Sequence, residues 1–379
     1  MIQKAMKIAI LLPDMKLTGV NYYSIQLFRQ INLPKEFISS QERKHGSSLS
    51  FLYYLIRVLK SNASIYHIQL EPRFFKNLVC QIFLPVLTLL CKLKGKLIVT
   101  FHAIIDPNDV PLLLQDSNYR WLKLLSHTVW CIYITVNKFI LALADRVIVH
   151  NSLIRTYLTE LFKVKSKKVI VIPHGTILIK RGEQKRQPLI LYLGSLRACR
   201  SVISVIRAFK MLQKDIPSAQ LSMLFFISEE RYNMRFILRK LTDIMKMSKD
   251  DPNIRILINP SETEIENILR KTSIGVLPYQ ENTLESSGVA WRYAGLGIPF
   301  IGTRVPKLLY EFSFLNHFND TLFLKNFTPI DLARSIKLLL LDNEVYKKIS
   351  KLLLEVSHFR SWSRVAKMHM RIYREVILK

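Results

Sequence analysis

Short β-branched apolar runs alternate along this chain with longer stretches in which apolar positions recur every three or four residues. The runs KIAILL (7–12), IYHIQ (65–69), KLIVTF (96–101), RVIVH (146–150) and KVIVIP (168–173) are nearly continuous rather than alternating. Strands of that kind are covered on both faces, as in a parallel sheet flanked by helices. A charged segment ending in proline, KRGEQKRQP (180–188), interrupts the pattern and reads as a linker. The alternation then resumes with LILYLG, QLSMLFFI, NIRILIN, SIGVLPY and PFIGT. Between the first two of these, Val202, Val205, Ile206, Phe209 and Leu212 fall on one helix face. The pattern predicts an α/β chain of two consecutive Rossmann-like halves with a cleft between them. Ligands in such sheets bind beyond the carboxyl ends of the strands.

Length agrees, since 379 residues exceed what one core usually organises. A hydrophobic content of 49% with 22% charged residues excludes a disordered chain. The formal net charge of +28 adds a functional hint, because such a surface draws phosphates, whether nucleotide, lipid headgroup or nucleic acid. Cys80, Cys91, Cys131 and Cys199 show no ligand-like spacing, which fits a reducing cytosol better than disulfides or a metal. MIQKAMKIAILLPD reads as a buried strand rather than a signal peptide. The apolar segment 77–96 is broken by Gln81 and Pro85, and 121–144 carries Lys123, His127, Asn137 and Lys138. Both are therefore expected to be buried or interfacial helices rather than membrane spans.

Two stretches carry candidate chemistry. In PLILYLGSLRACRSVISVIRAF (188–209), Gly194 ends a strand, Arg197 and Arg200 follow, and a helix begins. A helix N-terminus with two guanidinium groups suits phosphate oxygens, although two arginines in a turn also fit a solvated basic loop. In GVLPYQENTLESSGVAWRYAGLGIPFIGT (275–303), Ser286, Ser287, Gly288 and Val289 open a helix that ends before Pro299. The free amides and hydroxyls there could cradle a diphosphate, or Ser-Ser-Gly could be an ordinary N-cap.

These motifs, taken in order, resemble glycosyltransferase family 4, the retaining group 1 glycosyltransferases of the GT-B fold. ADRVIVHNSLIRTYL and VIPHGT resemble the family's last N-domain strand and run into the linker. LGSLRACRSV resembles its phosphate-binding turn, and LPYQENTLESSGVAWRYAGLGIPFIGT its donor loop and helix. SWSRVAKMHMRIYREVI (361–377) resembles its closing helix. The resemblance implies an N-terminal Rossmann-like acceptor domain (1–178), a linker (179–188), a C-terminal nucleotide-sugar domain (189–360) and a final helix (361–379) crossing back to the first domain. It places Arg197 and Arg200 on the donor diphosphate, with Ser287, Gly288 and Val289 offering amides to it. His102 would face the reacting sugar, and Gly19 in KLTGVNYY would lie in the first loop approaching the donor. Much of the family has a glutamate pair eight residues apart, the second binding the donor ribose; Leu284 and Arg292 occupy those positions here. The chain resembles the branch that lacks the pair, and Glu281 or Glu285 could serve after a loop shift.

The implied activity is transfer of a hexose, with retention, from a nucleoside-diphosphate sugar to a lipid-linked or growing oligosaccharide. The donor is a co-substrate, and no cofactor or metal is expected. Fixed cations and amides would stabilise the departing diphosphate. Arg43, Lys44, Arg57, Lys60, Arg73, Lys76, Lys92, Lys94 and Lys96 surround the apolar segment near Leu84 in the N-domain. They suit an anionic membrane, so a peripheral place on its cytosolic face is expected, with no specific nucleic acid partner. Three other readings remain open: a GT-B nucleotide-sugar epimerase, a catalytically silent GT-B partner subunit, and a basic nucleic-acid-binding protein.

Overall fold

The computed structural model describes residues 6–13, 19–39, 50–72, 74, 81–115, 120–179, 187–228 and 233–378. Among the basic residues near Leu84, Arg43, Lys44, Arg73 and Lys76 fall outside these, as do Cys80 and most of the linker.

The first half builds a six-stranded parallel sheet from β1 (Ile8–Leu11), β2 (Lys35–Ile38), β3 (Ile65–Leu70), β4 (Lys96–Phe101), β6 (Arg146–Val149) and β7 (Val169–Val171). A short β5 (Ala103–Ile104) follows β4 outside this sheet. The order is β2-β1-β3-β4-β6-β7, so the winding direction reverses between β1 and β3. β3 and β4 run in register from Ile65 beside Lys96 to Leu70 beside Phe101. All of β3 is buried: Tyr66, Ile68 and Leu70 enter one core, and the alternate residues His67 and Gln69 are buried as well. The helices include α1 (Gly19–Arg29), α2 (Ser50–Lys60), α3 (Leu84–Lys94), α4 (Ser126–Leu143) and α5 (Ser152–Glu160). Helices α2 to α5 pack on one face of the sheet through Tyr54, Leu87, Ile140 and Ile154. The other face receives α1, through Tyr23, Leu27 and Phe28.

The second half repeats the plan with β8 (Leu189–Ser195), β9 (Gln220–Phe226), β10 (Ile254–Ile258), β11 (Ile274–Leu277), β13 (Phe300–Thr303) and β14 (Phe323–Leu324). Their order is β10-β9-β8-β11-β13-β14, which puts the switch point between β8 and β11. Its helices include α6 (Val202–Leu212), α7 (Met234–Ser248), α8 (Glu262–Lys271), α9 (Gly288–Gly295), α10 (Pro306–Glu311) and α11 (Asn343–His358). One core cluster holds this half together, from Leu189 to Leu353.

Two whole elements are among the connections that tie the halves. α12 (Trp362–Leu378) returns to the first sheet, where Trp362, Val365, Ile372 and Tyr373 join Ile8, Ile10 and Tyr23 in one core. β12 (Leu284–Glu285), from the loop after β11, pairs antiparallel with β5, Leu284 opposite Ile104 and Glu285 opposite Ala103. Leu284 is buried within the first domain's core cluster.

Candidate donor site between the two domains

The two stretches singled out in the sequence leave the two strands that flank the second switch point. β8 ends at Ser195 and runs into the arginine turn, while β11 ends at Leu277 and runs into the 278–287 loop. The backbone laces them together. The amide of Ser201 donates to Pro278 O at 3.1 Å, that of Gln280 donates to Cys199 O at 3.2 Å, and Arg200 forms an isolated bridge with Tyr279. From α7, Lys240 donates to the carbonyls of Arg197 and, at 3.0 Å, Arg200.

Arg200 itself is buried and ion-paired with Glu281, its guanidinium 4.3 Å from the centre of the Tyr279 ring. Lys307 Nζ lies 2.6 Å from Glu281 Oε1, 2.6 Å from Glu285 Oε1 and 4.2 Å from the same ring centre. Burial opposes ionisation of Glu281, yet Arg200, Lys307 and Arg197 hold its carboxyl well below the usual range. Burial likewise opposes the Lys307 cation, and Glu281 with Glu285 more than reverses this. Both oxygens of Glu281 are therefore committed inside the protein. Glu285 is partly exposed. Arg197 is half-buried one turn away.

α9 begins where this network ends. Ser287 is its N-cap, with Oγ accepting from the Ala290 amide at 3.2 Å and lying 2.8 Å from the Tyr279 hydroxyl. Such a cap leaves the amides of Gly288 and Val289 without intrahelical acceptors. Gly288 is tightly placed, since a Cβ there would come within 3.3 Å of His174 Nε2. Ser286 donates to Glu311 Oε2 at 2.9 Å. Gly194 sits at the end of β8 against the Tyr192 side chain, and Gly19 starts α1 with open space around its Cα.

Across the cleft, His102 directly follows β4. Its Nε2 is 2.9 Å from Gln69 Oε1 and its Nδ1 is 3.1 Å from His150 Nε2. Tyr23 meets it edge-on, and His150 and His174 pack around the same ring. Burial, reinforced by His150 and His174, holds His102 neutral. Both of its ring nitrogens are thus engaged inside the protein.

No protein-family model and no curated protein sequence matches this chain. Solved structures do. A glycosyltransferase from Rickettsia africae superposes with TM-score 0.63 at 16% identity, covering 98% of each chain. Sucrose-phosphate synthase from Thermosynechococcus elongatus gives TM-score 0.71 at 16% identity over 98% of this chain and 99% of that one. The catalytic domain of starch synthase IV from Arabidopsis thaliana, bound to ADP and acarbose, gives 0.61 at 12% identity over 99% and 100%. The fold is GT-B.

Within this GT-B frame, several residues that the sequence did not single out tie the site together. Glu311 is buried and spans the domains, accepting from Asn151 of the first at 3.0 Å and from Ser286 and Trp291 of the second. Burial pushes its carboxyl up, against the pull of Arg360 and these donors. Arg360 lies 3.8 Å over the Trp291 ring. Arg292 stacks 3.7 Å over Tyr22 of α1 and pairs with Glu262 at 3.0 Å. Lys307 and Glu311 stand four apart on α10, a spacing that in sequence resembles an exposed ion pair. Their one usable signal was the apolar residues between them, Leu308 and Leu309.

Proposed function

We propose that this chain is a retaining glycosyltransferase of the family 4 kind. It would bind a nucleoside-diphosphate sugar between Arg197, the 199–201 turn and the start of α9. The observation that carries the reading is the convergence at one switch point. Both loops leaving β8 and β11 are bonded to each other, and the capped but open α9 N-terminus begins at Gly288, close against His174 of the first domain. Cleavage of the sugar–phosphate bond leaves negative charge on the diphosphate. Arg197, whose field already reaches Glu281, and the amides of Gly288 and Val289 are suited to receive it without a metal. The Arg200–Glu281–Lys307 network holds the loop in shape, and Glu285 is the carboxylate left for a ligand hydroxyl. We assign the acceptor to the first domain's side and read it as lipid-linked or a growing oligosaccharide. Its place of work would be the cytosolic face of a membrane.

A thermal-shift panel of UDP-, GDP-, ADP- and dTDP-sugars, with tripolyphosphate and a DNA duplex as charge controls, tests this reading. A ligand at 100 times its dissociation constant adds about 2.7 kcal/mol, a shift of a few degrees. One nucleotide-sugar stabilising beyond the polyanions supports the donor site. Equal shifts from all polyanions overturn it.

A further inference from the structure

We propose that the outer face of α2, α3 and α4 docks on the surface of an anionic lipid bilayer. These helices lie side by side on the first sheet, and each carries a second apolar stripe facing away from it. On α2 this is Leu52, Ile56 and Leu59, and on α3 it is Val86, Leu89 and Leu93; in both, the spacings are threes and fours. Ile132 and Phe139 continue the surface on α4. The turn entering α4 bears Trp121 at 65% and Leu124 at 95% exposure. Trp121–Leu143 is the one helix among the described residues apolar and long enough to span a bilayer, yet only 22% of its apolar stretch is buried. The sequence expectation of a buried or interfacial helix therefore resolves to the surface.

Charge selects the partner. Residues 50–60, 84–94 and 120–144 contain no aspartate or glutamate. Arg57, Lys60, Lys94, Lys123 and Lys138 are all exposed among the apolar side chains. An apolar face with a cationic border and no carboxylate complements anionic headgroups over acyl chains, with Trp121 at the depth tryptophan favours. A nucleic acid would leave the leucines unsatisfied.

The face also reaches the cleft. From α4, Trp130 Nε1 donates to Ile105 O at 3.3 Å and the Tyr133 hydroxyl donates to Ala103 O at 3.0 Å. These bonds hold β5, the strand that pairs with β12 across the cleft. On the glycosyl-transfer reading, on which this last step rests, docking would deliver a lipid-borne acceptor to the side of the cleft where the first domain contributes its wall.

Flotation of the full chain with vesicles of phosphatidylcholine, alone or mixed with phosphatidylglycerol, tests the docking. Binding is expected only to the anionic vesicles, weakened but not abolished when salt rises from about 0.1 M to about 0.5 M. The exposed pair Leu93→Glu with Leu124→Glu should lower the bound fraction about tenfold or more at unchanged melting temperature. Leu341→Glu, on an exposed site of the second domain, should change nothing. Flotation with neither vesicle, or equal flotation of wild type and the double variant, overturns the proposal. So does a dimer in solution that the double variant dissolves, since a second copy would then be the occupant. Nucleotide-sugar binding is measured without vesicles, so either reading can fail while the other stands.

Discussion

Lys307 Nζ sits 2.6 Å from Glu281 Oε1, with both side chains almost wholly buried behind the loop that follows β11. Removing one partner of such a pair leaves an uncompensated charge and costs about 3–5 kcal/mol. Lys307→Met should therefore destabilise the fold strongly, and adding Glu281→Gln should restore part of the loss. Urea unfolding of the two single variants and the double gives the coupling. Strictly additive effects would mean that the pair carries no stability.

The two arginines of the turn should separate in their effects. Arg197→Ala is expected to lower nucleotide-sugar affinity about tenfold to a hundredfold, the weight of a hydrogen bond to a charged group, with little change in melting temperature. Arg200→Ala removes a cation already paired with Glu281 and should lower the melting temperature first. Calorimetric titration and thermal melts on both variants decide this. Loss of affinity from both with intact stability would make Arg200 a direct ligand of the donor.

Stability should collapse on mild acidification. His67, His102 and His150 are held well below the usual value of 6.5, chiefly by burial, and burial lowers His174 and His369 to about 4. Below pH 6.5 the unfolded chain takes up protons at these positions and the folded chain does not. Stability therefore falls as pH drops from 6.5 towards 4, by up to about 1.4 kcal/mol per pH unit for each histidine. Glu311 acts in the opposite sense, because its raised folded value lets the native state gain a proton first as pH falls. Asp109, also raised by burial, acts with Glu311, and the five histidines outweigh these two. Denaturant midpoints at pH 7.5 and 5.5 should show the drop, and His369→Gln should make it shallower; a flat profile would contradict it.

Two glycines should respond oppositely to alanine. A Cβ on Gly295 would lie 2.1 Å from Ile177 O, a backbone atom that cannot step aside, so Gly295→Ala should cost about 3 kcal/mol or more. Gly19 faces open space, and Gly19→Ala should leave stability within about 0.5 kcal/mol while hindering donor approach. Melts with and without the nucleotide-sugar distinguish the two. A destabilised Gly19→Ala variant would show that α1 depends on that glycine.

Continuous apolar runs made most of the framework legible. KLIVTF at 96–101 is β4 residue for residue, because a strand buried on both faces has no solvent side to blur its ends. β2 escaped notice because it is an edge strand, KEFI, with Lys35 and Phe37 exposed. β5 and β12 are two residues each and exist only through their long-range pairing. The arginine turn and α9 cap were visible as motifs, whereas the buried Lys307 and Glu311 were not. Local sequence does not record that the loop after β11 would fold over one and Asn151 would reach the other.

The return of α12 to the first sheet has a consequence for the order in which the molecule is made. Trp362, Val365 and Tyr373 belong to the same core as Ile8 and Tyr23, although they are translated only after the second half. The second half, with its own core from Leu189 to Leu353, can close while still tethered to the translating ribosome. Until α12 has been translated, that face of the first sheet has α1 but lacks Trp362, Val365 and Tyr373. Ile8 and Tyr23, translated before the second half, thus complete their packing after it.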